Sequence, residues 1–177
     1  MKTFSKCLVL LVWFTVSTPV NANSIETNGD ILVVLIPGAA YASTFYKKDV
    51  AGRIQFYKSF LSTAIATHGL KILVHKQRPD GSDYLSFPSG HTSAAFQGAS
   101  FIHRRYGIKQ AILPYVAATY VGYTRVEANR HDWTDVSAGA LLGIASNWLF
   151  TTRRPNQSFS LYKDGDRLGF RFSVALR

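Results

Sequence analysis

Five apolar blocks, at residues 31–46, 54–70, 92–103, 111–123 and 136–150, limit most strongly how this chain can fold. Their lengths and their Ala, Gly and Leu content suit helices, and polar connectors bearing Gly, Pro and Asp separate them. The expected fold class is all-α, a helical bundle of five to six helices, and 177 residues fit one domain of this kind. Pro37-Gly38 and Pro114 lie inside blocks and are expected to kink or interrupt their helices.

Laying the blocks up and down sorts the connectors by charge. One end carries Lys47, Lys48, Arg53, Arg104, Arg105, Lys109, Arg153 and Arg154, with Asp49 as its one acid. The other carries the connectors at 75–90 and 126–134. If the helices cross a membrane, the basic end belongs in the cytoplasm and the other end faces the periplasm. Blocks of 12 to 17 residues are short for spans of about 20, and Lys58 and His68 interrupt one of them. A soluble, exported bundle with a basic far end therefore stays open beside the membrane reading.

The first 22 residues have Lys2 and Lys6, an apolar run from Cys7 to Phe14, and Val20-Asn21-Ala22, the pattern of a signal peptide. An uncleaved first membrane helix is the alternative. Cys7 is the one cysteine, so the rest of the chain offers no disulfide, thiol nucleophile or Cys-based metal site. From 159 to 176 apolar and polar residues alternate around Lys163-Asp164-Gly165-Asp166, which predicts a short β-hairpin. The expected organisation is thus 1–22 signal or first helix, 23–155 helical bundle, and 156–177 hairpin tail.

A net charge of +10 favours anionic partners. Nucleic acid is disfavoured, because the basic residues form no single stripe interleaved with aromatics. The chemistry-bearing residues gather at the less basic end: Lys71 and Arg78-Pro79, then Pro88-Ser89-Gly90-His91, then Arg125, His131 and Asp135. Singly, each has an ordinary explanation. The cations can close helices, Ser89 can be an N-cap, and the histidines can be hydrogen-bonded structural groups. Together, three cations converge with a Gly-containing turn at a helix start, where free N–H groups favour an anion. A phosphate fits such a set, and two histidines add a nucleophile or base on one side and an acid on the other.

The spacing has six residues between Lys71 and Arg78, and five between Arg125 and His131, with three more before Asp135. With Pro88-Ser89-Gly90-His91 between, it resembles the three-part signature of the type 2 phosphatidic acid phosphatase superfamily. That group includes lipid phosphatases, bacterial class A acid phosphatases and vanadium haloperoxidases. Thr124 stands where the family usually has Ser before the motif-three arginine; Thr keeps the hydroxyl.

The resemblance implies that His131 attacks phosphorus to give a phosphohistidine and that Asp135 orients the His131 ring. It implies that His91 protonates the leaving oxygen and then activates water, and that Lys71, Arg78, Ser89, Gly90 and Arg125 bind the phosphate oxygens. It implies neither a metal nor another cofactor. Lys76, Arg130 and Asp132 lie off the pattern and are expected at the entrance. The implied substrate is a phosphorylated lipid at the periplasmic face, or alternatively a small phosphate ester handled by a soluble periplasmic enzyme. No obligate protein partner is evident.

Overall fold

The structure, a computed structural model, describes residues 22–155, 157–164 and 167–174. The expected N-terminal segment, apart from Ala22, and the tip of the expected hairpin lie outside them. Five helices follow in order: α1 (Ala22–Tyr46), α2 (Val50–Val74), α3 (Gly90–Tyr106), α4 (Ile108–Glu127) and α5 (Trp133–Phe150). Strands β1 (Gln157–Asp164) and β2 (Arg167–Val174) then pair antiparallel, in register from Gln157 opposite Val174 to Asp164 opposite Arg167. The all-α bundle and the hairpin tail are both present.

Each apolar block is a helix, but the helices reach past the apolar residues. α1 is extended most, because its polar first turns pack on α4 instead of looping away. A Cβ at Gly29 would lie 2.2 Å from Thr124 Oγ1, so only glycine lets α1 sit this close. The prolines do not interrupt their helices: α1 runs through Pro37 and α4 through Pro114. Pro37 nests against Gly98 of α3, where a Cβ would fall 2.8 Å from its Cα. A proline removes one intrahelical donor, and the neighbouring helix takes up its ring.

α3 is the hub, packed against all four other helices. Its buried residues are mostly small or polar, among them Ser93, Ala95, Gln97, Ala99 and Ser100. Polar groups meet there: Gln97 Nε2 donates to Ser59 Oγ at 3.0 Å, Thr67 Oγ1 to Ser93 Oγ at 3.0 Å, and Asn147 Nδ2 to the Gln97 carbonyl at 2.7 Å. The outer surface is the reverse. Val34, Leu35, Leu61, Ile65, Leu73, Leu113, Val116, Leu141 and Leu149 are all exposed. Among the described residues one helix, over Ser24–Tyr46, is long and apolar enough to cross a membrane by length and composition. The others mix this outward apolar face with an inward polar one, which lowers their average hydropathy.

The caps set the two ends. Asp49 caps α2 through the Gly52 N–H, and Gly107, at a φ of 104°, turns α3 directly into α4. At the opposite end the 75–89 connector meets the 128–132 connector, where the Asp80 N–H donates to the Asn129 carbonyl at 3.1 Å. The sorting into two ends expected from charge is the one the helices adopt.

Candidate active site

The site is assembled from the ends of all five helices. Lys71 sits in the last turn of α2, which His75 closes in the left-handed region at φ 51°, its N–H on the Lys71 carbonyl at 3.1 Å. The connector folds back so that the Lys71 ammonium, 9% exposed, donates to the carbonyls of Leu85 and Ser86. Arg78 is tied by Nε to Asp83 Oδ1 at 2.8 Å.

The Phe87–Pro88 peptide is cis, and Ser89 follows as the N-cap of α3. The Ser89 hydroxyl accepts from the Thr92 hydroxyl at 3.0 Å and is buried. The structure thus uses Ser89 as a cap, the ordinary explanation open to it, while its own hydroxyl proton is left for donation. The Ser89 N–H donates to the Asp135 carbonyl at 2.9 Å, which fastens the turn to α5. Gly139 makes this approach possible, since a Cβ there would lie 2.6 Å from the Ser89 carbonyl oxygen.

His131 precedes α5, so a turn and the helix cap, not a shared helical face, bring it to Asp135. The chain passes from α4 through a tight turn in which the N–H groups of Arg130 and His131 both donate to the Arg125 carbonyl. Asp132 is the N-cap of α5, and it forms a capping box with Asp135. The box brings Asp135 Oδ2 to 3.4 Å from His131 Nδ1. His131 is 3% exposed and Asp135 fully buried.

Two residues outside the expected set complete this pair. The Ser86 hydroxyl donates to Asp135 Oδ2 and lies 3.4 Å from His131 Nδ1. Lys76 bonds Asp135 Oδ1 at 2.8 Å and also Asp132 Oδ2. Lys76 and Asp132, expected at the entrance, are therefore the support of the buried carboxylate. Burial works against the charge on Asp132, yet its bonds from Lys76 and Thr134 outweigh this and hold it well below the usual carboxylate range. With Asp135 acting as acceptor, the Nδ1 proton of His131 faces it and Nε2 keeps its lone pair. Burial first, and then the charges of Arg78 and Lys71, lower His131 to about 4, so its ring is neutral at ordinary pH.

Arg125, buried at the end of α4, donates from Nη2 to the Glu26 carbonyl at 2.7 Å. Its Nη1 lies 3.0 Å from Asp30 Oδ1, and the same oxygen lies 3.0 Å from His91 Nε2. Thr124, the departure from the family pattern, spends its hydroxyl on the Val121 carbonyl of its own helix at 2.8 Å. Glu26 Oε1 accepts from Arg130 Nε at 3.0 Å, and Arg130 Nη1 pairs with Asp80 Oδ2 at 3.1 Å. Sequence reasoning passed over Glu26 and Asp30. Their four-residue spacing, just before an apolar block in a basic chain, was the available signal. Among the described residues no group of three or more His, Cys, Asp or Glu is placed to hold a metal ion.

Lys71, Ser89, Arg125, His131 and Asp135 are thus linked directly or through the 86–89 turn, and His91 joins through Asp30. A PAP2 superfamily profile matches residues 54–159. Over 94% of its length the chain is 30% identical to a lipid A 4'-phosphatase of Helicobacter pylori, covering 93% of that protein. A lipid A 1-phosphatase of Porphyromonas gingivalis is 41% identical over 38% of the chain, which corresponds to 16% of that larger protein. The crystal structure of Aquifex aeolicus LpxE has the same fold, with a TM-score of 0.62 at 22% identity over 76% of this chain and 87% of that one. The chain belongs to the PAP2 superfamily and is a phosphatase.

Proposed function

We propose that the chain removes a phosphate from a membrane lipid at the periplasmic face, through a phosphohistidine on His131. The observation that carries this reading is the buried, neutral His131, its Nδ1 turned to Asp135 and its surroundings made positive by Lys71 and Arg78. A neutral imidazole with a fixed proton on one nitrogen is a nucleophile at the other.

In the first half-reaction His131 Nε2 attacks phosphorus and the P–O bond to the substrate breaks. His91 gives a proton to the departing oxygen. Water then attacks the phosphorus, its proton passes to His91, the P–N bond breaks and inorganic phosphate leaves. Charge on the equatorial oxygens is matched by Lys71, Arg78 and Arg125 and by the Gly90 N–H at the start of α3. These fixed cations supply the stabilisation that a metal gives in other phosphatases.

The lipid reading rests on the distribution of polarity, with exposed leucines, isoleucines and valines around an interior that buries many polar side chains beside two small apolar clusters. Large exposed apolar surfaces call for a partner, and a bilayer solvates the whole girdle at once. The basic far end argues for a cytoplasmic position and so for a periplasmic site. The full-length likeness to a lipid A 4'-phosphatase puts lipid A at the head of the substrates to test.

The test is phosphate release by the purified protein from lipid A, phosphatidate, phosphatidylglycerophosphate, an isoprenyl pyrophosphate and small esters, with His131→Ala alongside. Hydrolysis of lipids above small esters, inhibited by vanadate and indifferent to EDTA, is the expected result. Equal activity in His131→Ala would overturn the mechanism, and recovery of the protein without detergent would overturn the membrane reading.

A further inference from the structure

Only one of the two histidines in this mechanism has been given a carboxylate. His131 is backed by Asp135, while His91 must first donate a proton and then accept one, a task that also needs a fixed ring. We propose that Asp30 of α1 is the positioning residue for His91, doing for the proton donor what Asp135 does for the nucleophile. This inference rests on the phosphatase mechanism above.

Three observations carry it. Asp30 Oδ1 lies 3.0 Å from His91 Nε2, within ordinary hydrogen-bonding distance. The same oxygen lies 3.0 Å from Arg125 Nη1, so a buried guanidinium fixes where the carboxylate stands. The helix bearing it is also pinned: Gly29 permits close seating on Thr124 and Arg125, and one turn earlier the Glu26 carbonyl accepts from Arg125 while its carboxylate accepts from Arg130.

The chemistry follows from the two ring nitrogens. With Nε2–H held on Asp30, Nδ1 is the nitrogen left to serve the reacting oxygen. The carboxylate favours the imidazolium that must form before each donation, and it prevents a ring flip between the half-reactions. During the first, the Nδ1 proton goes to the departing oxygen. During the second, a water proton returns to Nδ1 as the P–N bond of His131 breaks. The Nε2 proton stays on the ring throughout. α1 is thereby part of the catalytic apparatus in addition to being the one described helix long and apolar enough to cross a membrane.

The discriminating measurement is leaving-group dependence. An alkoxide is strongly basic and cannot depart unprotonated, whereas 4-nitrophenolate leaves with little help. Wild type, Asp30→Asn, Asp30→Glu and His131→Ala are compared on hexadecyl phosphate and 4-nitrophenyl phosphate through kcat/KM, which reports the first phosphoryl transfer. Asp30→Asn is expected to lose about 10- to 100-fold on the alkyl ester, part of the roughly 10²- to 10⁴-fold worth of a full general acid. The loss on the aryl ester should be at least about tenfold smaller, which also shows that the variant is folded, and Asp30→Glu should recover part of the alkyl activity.

Equal losses on both esters, or none on either, would overturn the proposal. So would tighter vanadate inhibition of Asp30→Asn with kcat intact, because Asp30 would then merely compete with the anion for the cations. If His131→Ala were as active as wild type on both esters, the phosphohistidine mechanism itself would fall instead.

Discussion

Each end of the bundle holds a buried aspartate beside cations, and the two are built differently. At the basic end, Asp49 Oδ1 takes Arg105 Nη2 at 2.6 Å and the Gly52 N–H at 3.0 Å, and Oδ2 takes Arg105 Nε at 2.7 Å and the Tyr106 hydroxyl at 3.1 Å. The planar fork of Arg105 closes on the carboxylate, and its remaining nitrogen ties the Thr152 carbonyl at 2.8 Å. At the site end, Asp135 takes a lysine, a serine and a backbone N–H, and holds His131 at the longer distance of 3.4 Å. Lys71 nearby donates to the carbonyls of Leu85 and Ser86, with no carboxylate in that pair of bonds.

One arrangement is saturated and locks α2 to α3. The other keeps positive charge and a histidine lone pair in reserve for a reactant. A buried aspartate thus serves stability where its partners are spent on it, and chemistry where a partner it holds keeps a lone pair free.

The difference is open to attack from both sides. His131→Ala should lower kcat by at least about 10⁴-fold without moving the unfolding midpoint, as measured by phosphate release and thermal melting. Arg105→Ala should do the opposite, costing about 3–5 kcal/mol of stability by stranding Asp49 while kcat per folded molecule holds. Denaturant titration in detergent beside active-site titration checks both, and a kcat loss for Arg105→Ala like that of His131→Ala would erase the contrast between the ends.

Lys76→Met should fall between, lowering kcat by about 10- to 100-fold, because a supporting partner is removed and no reacting group. Steady-state kinetics on the preferred lipid measure this, and Lys76→Arg should restore part of the loss.

The smallest effect concerns pH. A proton on His131 Nε2 removes the nucleophile, and with its value lowered to about 4 the acid limb of kcat/KM should lie near pH 4, while His91, which must carry a proton to donate one, sets the alkaline limb. Below about pH 4 the slope should be about tenfold per pH unit. Arg78→Gln removes one of the depressing charges and should move the acid limb to higher pH, as read from the pH profile.

Much of this site was legible in the sequence because its chemistry is carried by residue types at fixed separations. Arg125, His131 and Asp135 lie in one short segment, where a turn and a capping box leave little freedom. Lys71 lies in the last turn of a helix whose apolar period is plain, and Arg78 lies in the connector just after it. What escaped was of two kinds. Ser86 and Lys76 act through a connector whose path no periodicity reports. Asp30 and Glu26 lie in a polar stretch that reads as a linker until α1 packs on α4. Of the kink or break that the prolines predict, the break does not occur: a glycine on α3, distant in sequence, gives the Pro37 ring a place.

By itself the sequence determined the helices, the unequal charge of the two ends and the candidate residues for handling phosphate, because these depend on local periodicity and on side-chain chemistry. Tertiary structure alone decided which carboxylate backs which histidine, and which buried ion pair is saturated. Those outcomes depend on how closely helices distant in sequence approach, and glycines at 29, 98 and 139 set that distance.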